Sequence, residues 1–226
     1  MKYIIIPLLC LLICLSIGCQ NQNTHKPLLI SSEQIRMFSE SDILAISKQA
    51  CAESDNKAII LADSHALNYR LNSITKTLPN TVKNIDLNYK VYLDTQPNAW
   101  STANGCIRVN SGLIKLLTDN ELQAVLAHEQ AHIALKHAIK LFKQAAYIEI
   151  TNKADEIVVM MQKDIVQQYE IDADNYALNL LIKEKIDPQG LINFLHKIPF
   201  HPSEQLSSHP STVERVNNLL EKLQMQ

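Results

Sequence analysis

From Leu113 to Ile186 the chain contains neither glycine nor proline. Nothing there forces a turn or removes a helical hydrogen bond, so the stretch is expected to form two or three long helices. One of them has a readable start. Thr118-Asp119-Asn120-Glu121 is a capping box, and Leu117 and Leu122 are placed to form a hydrophobic staple across it. A helix starting near Asp119 carries Leu122, Val125, Leu126, His128, Glu129, His132 and Ile133.

That helix contains His128-Glu129-Gln130-Ala131-His132. Four residues at about 100° each bring His128 and His132 within about 40° on one face. Two imidazoles one turn apart can reach the same zinc ion. Glu129 sits about 100° around from His128, beside the metal, where it can take a proton from zinc-bound water. The alternative is a chance pattern on a solvated helix. Leu126, Ala127, Ala131 and Ile133 argue instead for a partly buried helix, where unpaired His and Glu are costly.

His137 lies about 140° from His132 on a continuous helix. Leu135 and Ala138 occupy the places where a metzincin needs glycine and histidine, so His137 is expected at the surface or behind a ligand. A three-ligand site needs one more His, Asp or Glu downstream. Spacing leaves many candidates, from Glu149 and Asp155 through Glu170, Asp172 and Asp174 to His196, His201 and His209. Glu170 and Asp174 share a helix face while Asp172 points away. A ligand carboxylate plus one that orients a histidine would use that pair; a solvated acidic face is the alternative.

The rest of the chain reads as one helix-rich domain. At 226 residues and 46% apolar, it can bury a sizeable core. A net charge of −2 gives no basic footprint for nucleic acid, and four glycines with one tryptophan argue against Gly-rich or bladed β architectures. Ser31–Glu53 fits helix, and Leu67, Leu71, Ile74 and Leu78 repeat at helical spacing up to Pro79. Leu87–Leu93 alternates as a strand, and a second strand over Cys106–Val109 is entered by Asn104-Gly105. Asp187-Pro188 restarts a helix, and Ser211–Leu223 closes the chain as another.

At the amino end, Lys2 precedes the apolar run Tyr3–Ile17 and then Gly18-Cys19. This describes an export signal, too short for a membrane span of about 20 residues. Its end resembles a bacterial lipobox with Cys19 as the lipidated residue. The expected division is residues 1–18 signal, 19–30 lipidated tether and 31–226 domain. In a Gram-negative cell, Gln20 after the cysteine implies outer-membrane sorting, with the domain facing the periplasm. Cys10 and Cys14 fall in the signal. Cys51 and Cys106 remain as an even pair in an oxidising compartment, either a disulfide or two buried thiols.

Asn98-Ala99-Trp100, then Gly105-Cys106-Ile107-Arg108-Val109-Asn110-Ser111-Gly112-Leu113, HEQAH and His137 together resemble the HtpX/CAAX-prenyl-protease-like gluzincin peptidases. Their E-x-E-A-D signature appears as Glu170-Ile171-Asp172-Ala173-Asp174, and their late His-Pro and arginine as His209-Pro210 and Arg215. The resemblance implies an α+β, mostly helical zincin-like domain with a small hairpin or sheet beside the HExxH helix. It implies one Zn2+ per chain on His128, His132 and Glu170, with Glu129 as base and Asp174 orienting a histidine. It also implies a Cys51–Cys106 disulfide and peptide or protein substrates, misfolded or unassembled envelope proteins among them. Substrate is expected to lie extended along an edge strand at Gly105–Asn110. His209 could occupy the open zinc position, donate to the oxyanion, or merely precede a helix start at Pro210.

Gln130-Ala131 stands where the family has an apolar residue and glycine, Asp172 replaces glutamate, and Trp100 stands where phenylalanine is common. None of these removes a catalytic group. The reading is a lipid-anchored zinc metalloendopeptidase. The rival is a non-enzymatic envelope assembly factor or chaperone whose structural zinc takes a fourth ligand from His201 or His209.

Overall fold

Side-chain caps set where several of the helices begin. The computed structural model describes residues 3–8, 28–150, 157–197 and 212–225. Strands β1 (Tyr3–Leu8) and β2 (Leu28–Ser31) come first. Ser31 caps α1 (Ser32–Met37) and Ser39 caps α2 (Glu40–Lys57), each closing a capping box, with Gln34 and Asp42 respectively. Residues 31–53 thus form parts of two helices, because Phe38 leaves helical geometry and Ser39 restarts it. Helix α3 (Ala66–Thr75) follows, then a tight hairpin of β3 (Thr81–Val82) and β4 (Ile85–Asp86).

Beside the site lie β5 (Asn88–Tyr92), β6 (Ala99–Ser101) and β7 (Cys106–Asn110). Strand β7 pairs parallel to β5 and antiparallel to β6. This corrects the expected edge strand at Gly105–Asn110. The segment is central and buried throughout, and the outer strand on the β6 side is Ala99–Ser101. Gly105 makes the turn into β7 at φ +89°, against the Asp86 carbonyl; an added Cβ would lie 2.2 Å from that oxygen.

The glycine-free stretch begins inside α4 (Ser111–Leu116), just past Gly112, and holds α5 (Asp119–Ala134), α6 (His137–Gln144) and α7 (Lys163–Lys183). It also holds two strands that the helical expectation passes over, β8 (Tyr147–Ile150) and β9 (Ile157–Gln162). Absence of Gly and Pro permits a helix without requiring one, and Ile157-Val158-Val159 is a β-branched run that favours a pleated sheet. These strands form an antiparallel sheet in the order β1-β9-β8-β2. Strand β1, from the run read as an export signal, lies along the outer edge of β9 in the full chain. Asp187 caps the start of α8 (Gln189–Lys197), accepting from the Gln189 amide at 2.9 Å, as Asp187-Pro188 predicts. Helix α9 (Thr212–Gln224) closes the chain.

Helix α5 packs on α7 and α8, burying Leu122, Val125 and Leu126 with Leu178, Leu181, Leu191 and Leu195, and the core continues to Val91, Ile107 and Val109 beneath the three-stranded sheet. A second cluster joins α1, α2, α6 and β8 through Ile35, Ile43, Ile139, Phe142 and Ile148. Cys51 of α2 and Cys106 of β7 are disulfide-bonded. Next to the bond, Arg108 is 2% exposed, and its guanidinium makes two hydrogen bonds to Asp55, at 2.7 and 3.0 Å. Arg108 Nη1 donates to the carbonyls of Asn88 and Ile107, so the buried cation is fully paired, and Asp55 also accepts from Lys90 and Tyr92. No helix among the described residues is long and apolar enough to cross a membrane. Cys19 and the polar tether Gln20–Lys26 lie outside the described residues.

Candidate metal centre

Helix α5 starts where the capping box predicts. The Thr118 hydroxyl accepts from the Glu121 amide and the Glu121 carboxylate accepts from the Thr118 amide. Lys197 of α8 pairs with the same carboxylate at 2.7 Å. Arg70 of α3 donates to the carbonyls of Ile114 and Leu117 and pairs with Asp119 at 2.7 Å. The helix is therefore held at its first turn by its own cap and by two neighbouring helices, α3 and α8, which fixes its rotation and so the direction of His128 and His132 two and three turns on.

The two imidazoles face each other with Nε2 atoms 3.0 Å apart. From α7, Glu170 brings one carboxylate oxygen to 3.5 Å from His128 Nε2 and the other to 3.5 Å from His132 Nε2. His128, His132 and Glu170 are the group among the described residues whose donor atoms could hold a metal ion. Tetrahedral zinc with bonds near 2.0–2.1 Å needs ligand atoms about 3.3 Å apart, so the observed separations of 3.0 and 3.5 Å fit such an ion. Asp172 faces elsewhere, accepting from Gln168 at 2.9 Å.

Behind the ligands, Asp174 is fully buried and its Oδ1 lies 3.0 Å from His128 Nδ1. Arg215 of α9 donates to both Asp174 oxygens, at 2.6 and 2.7 Å, and its Nη1 lies 3.5 Å from Glu170. Burial would raise the Asp174 carboxyl, but Arg215 and His128 hold it below the usual carboxylate range. Burial likewise works against charge on His128, yet Asp174 and Glu170 outweigh it and hold the imidazolium up to about 10. Burial holds His132 down to about 4. A cation reaching His128 Nε2 must displace that proton, which couples metal uptake to pH.

Glu129 is buried on the same helix, and its backbone carbonyl accepts from the Ser101 hydroxyl of β6 at 3.2 Å. The outer strand and the candidate base are thus in direct contact. His137, open between surface and ligand-backing from sequence, is 1% exposed, with Nδ1 3.0 Å from His132 Nδ1. Arg215 carries a role that spacing alone did not assign; its signal was only its position in the late part of the family pattern. His201 and His209 lie outside the described residues.

Peptidase family M48 matches residues 65–155 and 141–223. The chain is 32% identical over 232 residues to the metalloprotease LoiP of Escherichia coli (strain K12), covering 91% of each chain. It is 30% identical over 233 residues to the metalloprotease YcaL of the same organism, again over 91% of each. A beta-barrel assembly-enhancing protease of Yersinia pestis is 25% identical over 181 residues, which cover 66% of this chain and 37% of that one. The two histidines one turn apart, the glutamate between them and the carboxylate delivered from α7 therefore sit in a chain that belongs to the M48 family of metallopeptidases.

Proposed function

We propose that the chain is a zinc endopeptidase, carried on the bacterial envelope by a lipid at Cys19, that hydrolyses peptide bonds of unassembled envelope proteins. The convergence of His128, His132 and Glu170 at one point, with Glu129 adjacent in α5, carries this reading. Two imidazoles and one carboxylate are a donor set suited to Zn2+ with an open fourth position. Zinc held there would polarise the scissile carbonyl and lower the pKa of its water to about 7. Glu129 takes the proton of the attacking water and returns it to the leaving amine. Asp174 fixes the His128 ring, and Arg215 keeps Asp174 ionised. Substrate lies extended along β6 and adds a strand by backbone hydrogen bonds, which carries it past Glu129 because Ser101 touches that residue's carbonyl.

Envelope placement is supported by the lipobox-like Gly18-Cys19, and envelope substrates by the name of the β-barrel assembly relative. The test is digestion of casein by the purified chain with and without chelator. Activity is expected to vanish on chelation, and Glu129→Gln to lower it about 10²–10⁴-fold while zinc stays bound. Zinc binding without digestion would overturn the reading in favour of a structural zinc site. Cys19→Ala is expected to move the protein from membranes to the soluble envelope fraction, and continued sedimentation with membranes would refute the anchor.

A further inference from the structure

Behind His132, on the side away from Glu170, lies the imidazole of His137. His132 turns Nε2 toward His128 and Glu170. For that nitrogen to offer its lone pair to a cation, the ring proton must sit on Nδ1. The 3.0 Å contact between His132 Nδ1 and His137 Nδ1 then has one direction: His132 donates and His137 accepts. His137 in turn must carry its own proton on Nε2, an atom that is buried and has no hydrogen-bond partner among the described residues. A polar ring is thus kept in the interior with only its accepting edge employed.

The chain reaches this arrangement by a break. On a continuous helix His137 would stand about 140° from His132. Instead Leu135 ends α5, Lys136 adopts the left-handed conformation at φ +57°, and α6 starts at His137. A left-handed non-glycine residue costs about 1–2 kcal/mol, so the break is retained against a local penalty. Lys136 is also tied to Glu40 of α2 at 2.6 Å. The His137 ring stacks on Tyr169 with centroids 4.5 Å apart and planes 9° from parallel. Tyr169 immediately precedes Glu170 and donates to Gln144 of α6 at 2.8 Å.

We propose that His137 is a positioning residue for the metal site: its Nδ1 accepts the His132 Nδ1 proton and aims His132 Nε2 at the cation, while its stacked face registers that ring to the helix carrying Glu170. This rests on the reading of His128, His132 and Glu170 as ligands. Partners behind a ligating histidine fix its tautomer and orientation, and their loss costs about 10- to 100-fold in metal affinity. A merely space-filling role would need the ring and not the acceptor.

The experiment titrates Zn2+ into the full chain against a chromophoric chelator. His137→Phe keeps an aromatic ring for Tyr169 and removes the acceptor; His137→Asn places an amide oxygen where Nδ1 stood. Phe is expected to weaken zinc binding about 10- to 100-fold, and Asn, which keeps the acceptor but gives up the stacked ring, to weaken it clearly less than Phe. Phe binding zinc as tightly as the unaltered chain, or Asn failing as badly as Phe, would overturn the proposal. His128→Ala is the separate control: if it binds zinc undiminished, the ligand assignment itself has failed. Nitrogen NMR of the zinc-loaded unaltered chain needs no variant. It should find the proton on His132 Nδ1 and none on His137 Nδ1; a proton on His137 Nδ1 would refute the direction of the bond.

Discussion

Replacing Asp174 by asparagine separates what holds the fold from what holds the metal. Asp174 is fully buried, and the Arg215 side chain that grips it is 8% exposed, so neither charge has water to fall back on. Asparagine keeps the shape and one acceptor but leaves the guanidinium without its counter-charge. Breaking a buried pair from one side costs about 3–5 kcal/mol. The lower end applies here, because Glu170 stays 3.5 Å from Arg215 Nη1. In a domain of this size each kcal/mol moves the melting temperature about 2–4 °C, so a loss near 3 kcal/mol should lower it by about 6–12 °C. His128 Nδ1 at the same time exchanges a carboxylate for a neutral amide whose single oxygen is also sought by Arg215, which should weaken zinc binding about 10- to 100-fold. The pairing of Asp174→Asn with Arg215→Met removes the orphaned cation while keeping an apolar stem in its place. Calorimetry after chelator treatment should then show most of the stability recovered, and zinc competition should show the affinity still reduced. An unchanged melting temperature in Asp174→Asn, or zinc affinity recovered along with stability in the double variant, would refute this division.

Glu170→Ala should abolish tight zinc binding while Asp172→Ala leaves it unaltered, since Asp172 is engaged with Gln168 away from the site; metal content following Asp172 would refute the ligand choice. Burial alone would raise the Asp55 carboxyl, but Arg108, Lys90 and Tyr92 outweigh it and hold it at about 2. Its folded-state pKa is depressed, so its contribution is present above about pH 4 and is lost as pH falls toward 2, about 1–2 kcal/mol after allowing for solvent. Urea midpoints between pH 5 and 2 should therefore fall less steeply for Asp55→Asn than for the unaltered chain, and equal slopes would refute the assignment. Reducing the Cys51–Cys106 bond, which closes a separation of 55 residues, should cost about 2–4 kcal/mol in chemical denaturation; free thiols at both positions in the unreduced protein would contradict the bond.

The elements that the sequence makes legible are those with local punctuation. Thr118 and Glu121 announce the start of α5, and Asp187 that of α8 to within one residue, because a cap is a contact between near neighbours in the chain. The two strands inside the glycine-free stretch are missed for the opposite reason. Their pairing partners are each other and the distant β2 and β1, and long-range pairing overrides whatever the local sequence permits. The displaced edge strand has the same cause: Cys106–Val109 reads correctly as a strand, but that β5 returns parallel to its other side is a fact of topology, not of alternation.

Within the site the division runs between ligands and their supports. His128, Glu129 and His132 follow from the period of one helix, and Glu170 with Asp174 from the period of another, so helical arithmetic together with the family pattern reaches all five. Arithmetic fails for His137 because its placement depends on where a helix stops. A left-handed Lys136, which nothing in its residue type demands, turns a position about 140° away into one in contact with a ligand. It fails for Arg215 because 41 residues separate it from Asp174, and only the packing of α9 on α7 joins them. Both supports act on nitrogens and oxygens that face away from the metal, and both are almost wholly buried. A buried cation or imidazole so placed is costly unless its partner is present. The folded chain therefore has reason to keep ligand and support together, which makes the burial of a polar residue behind a histidine a better guide to such groups than its spacing in the sequence.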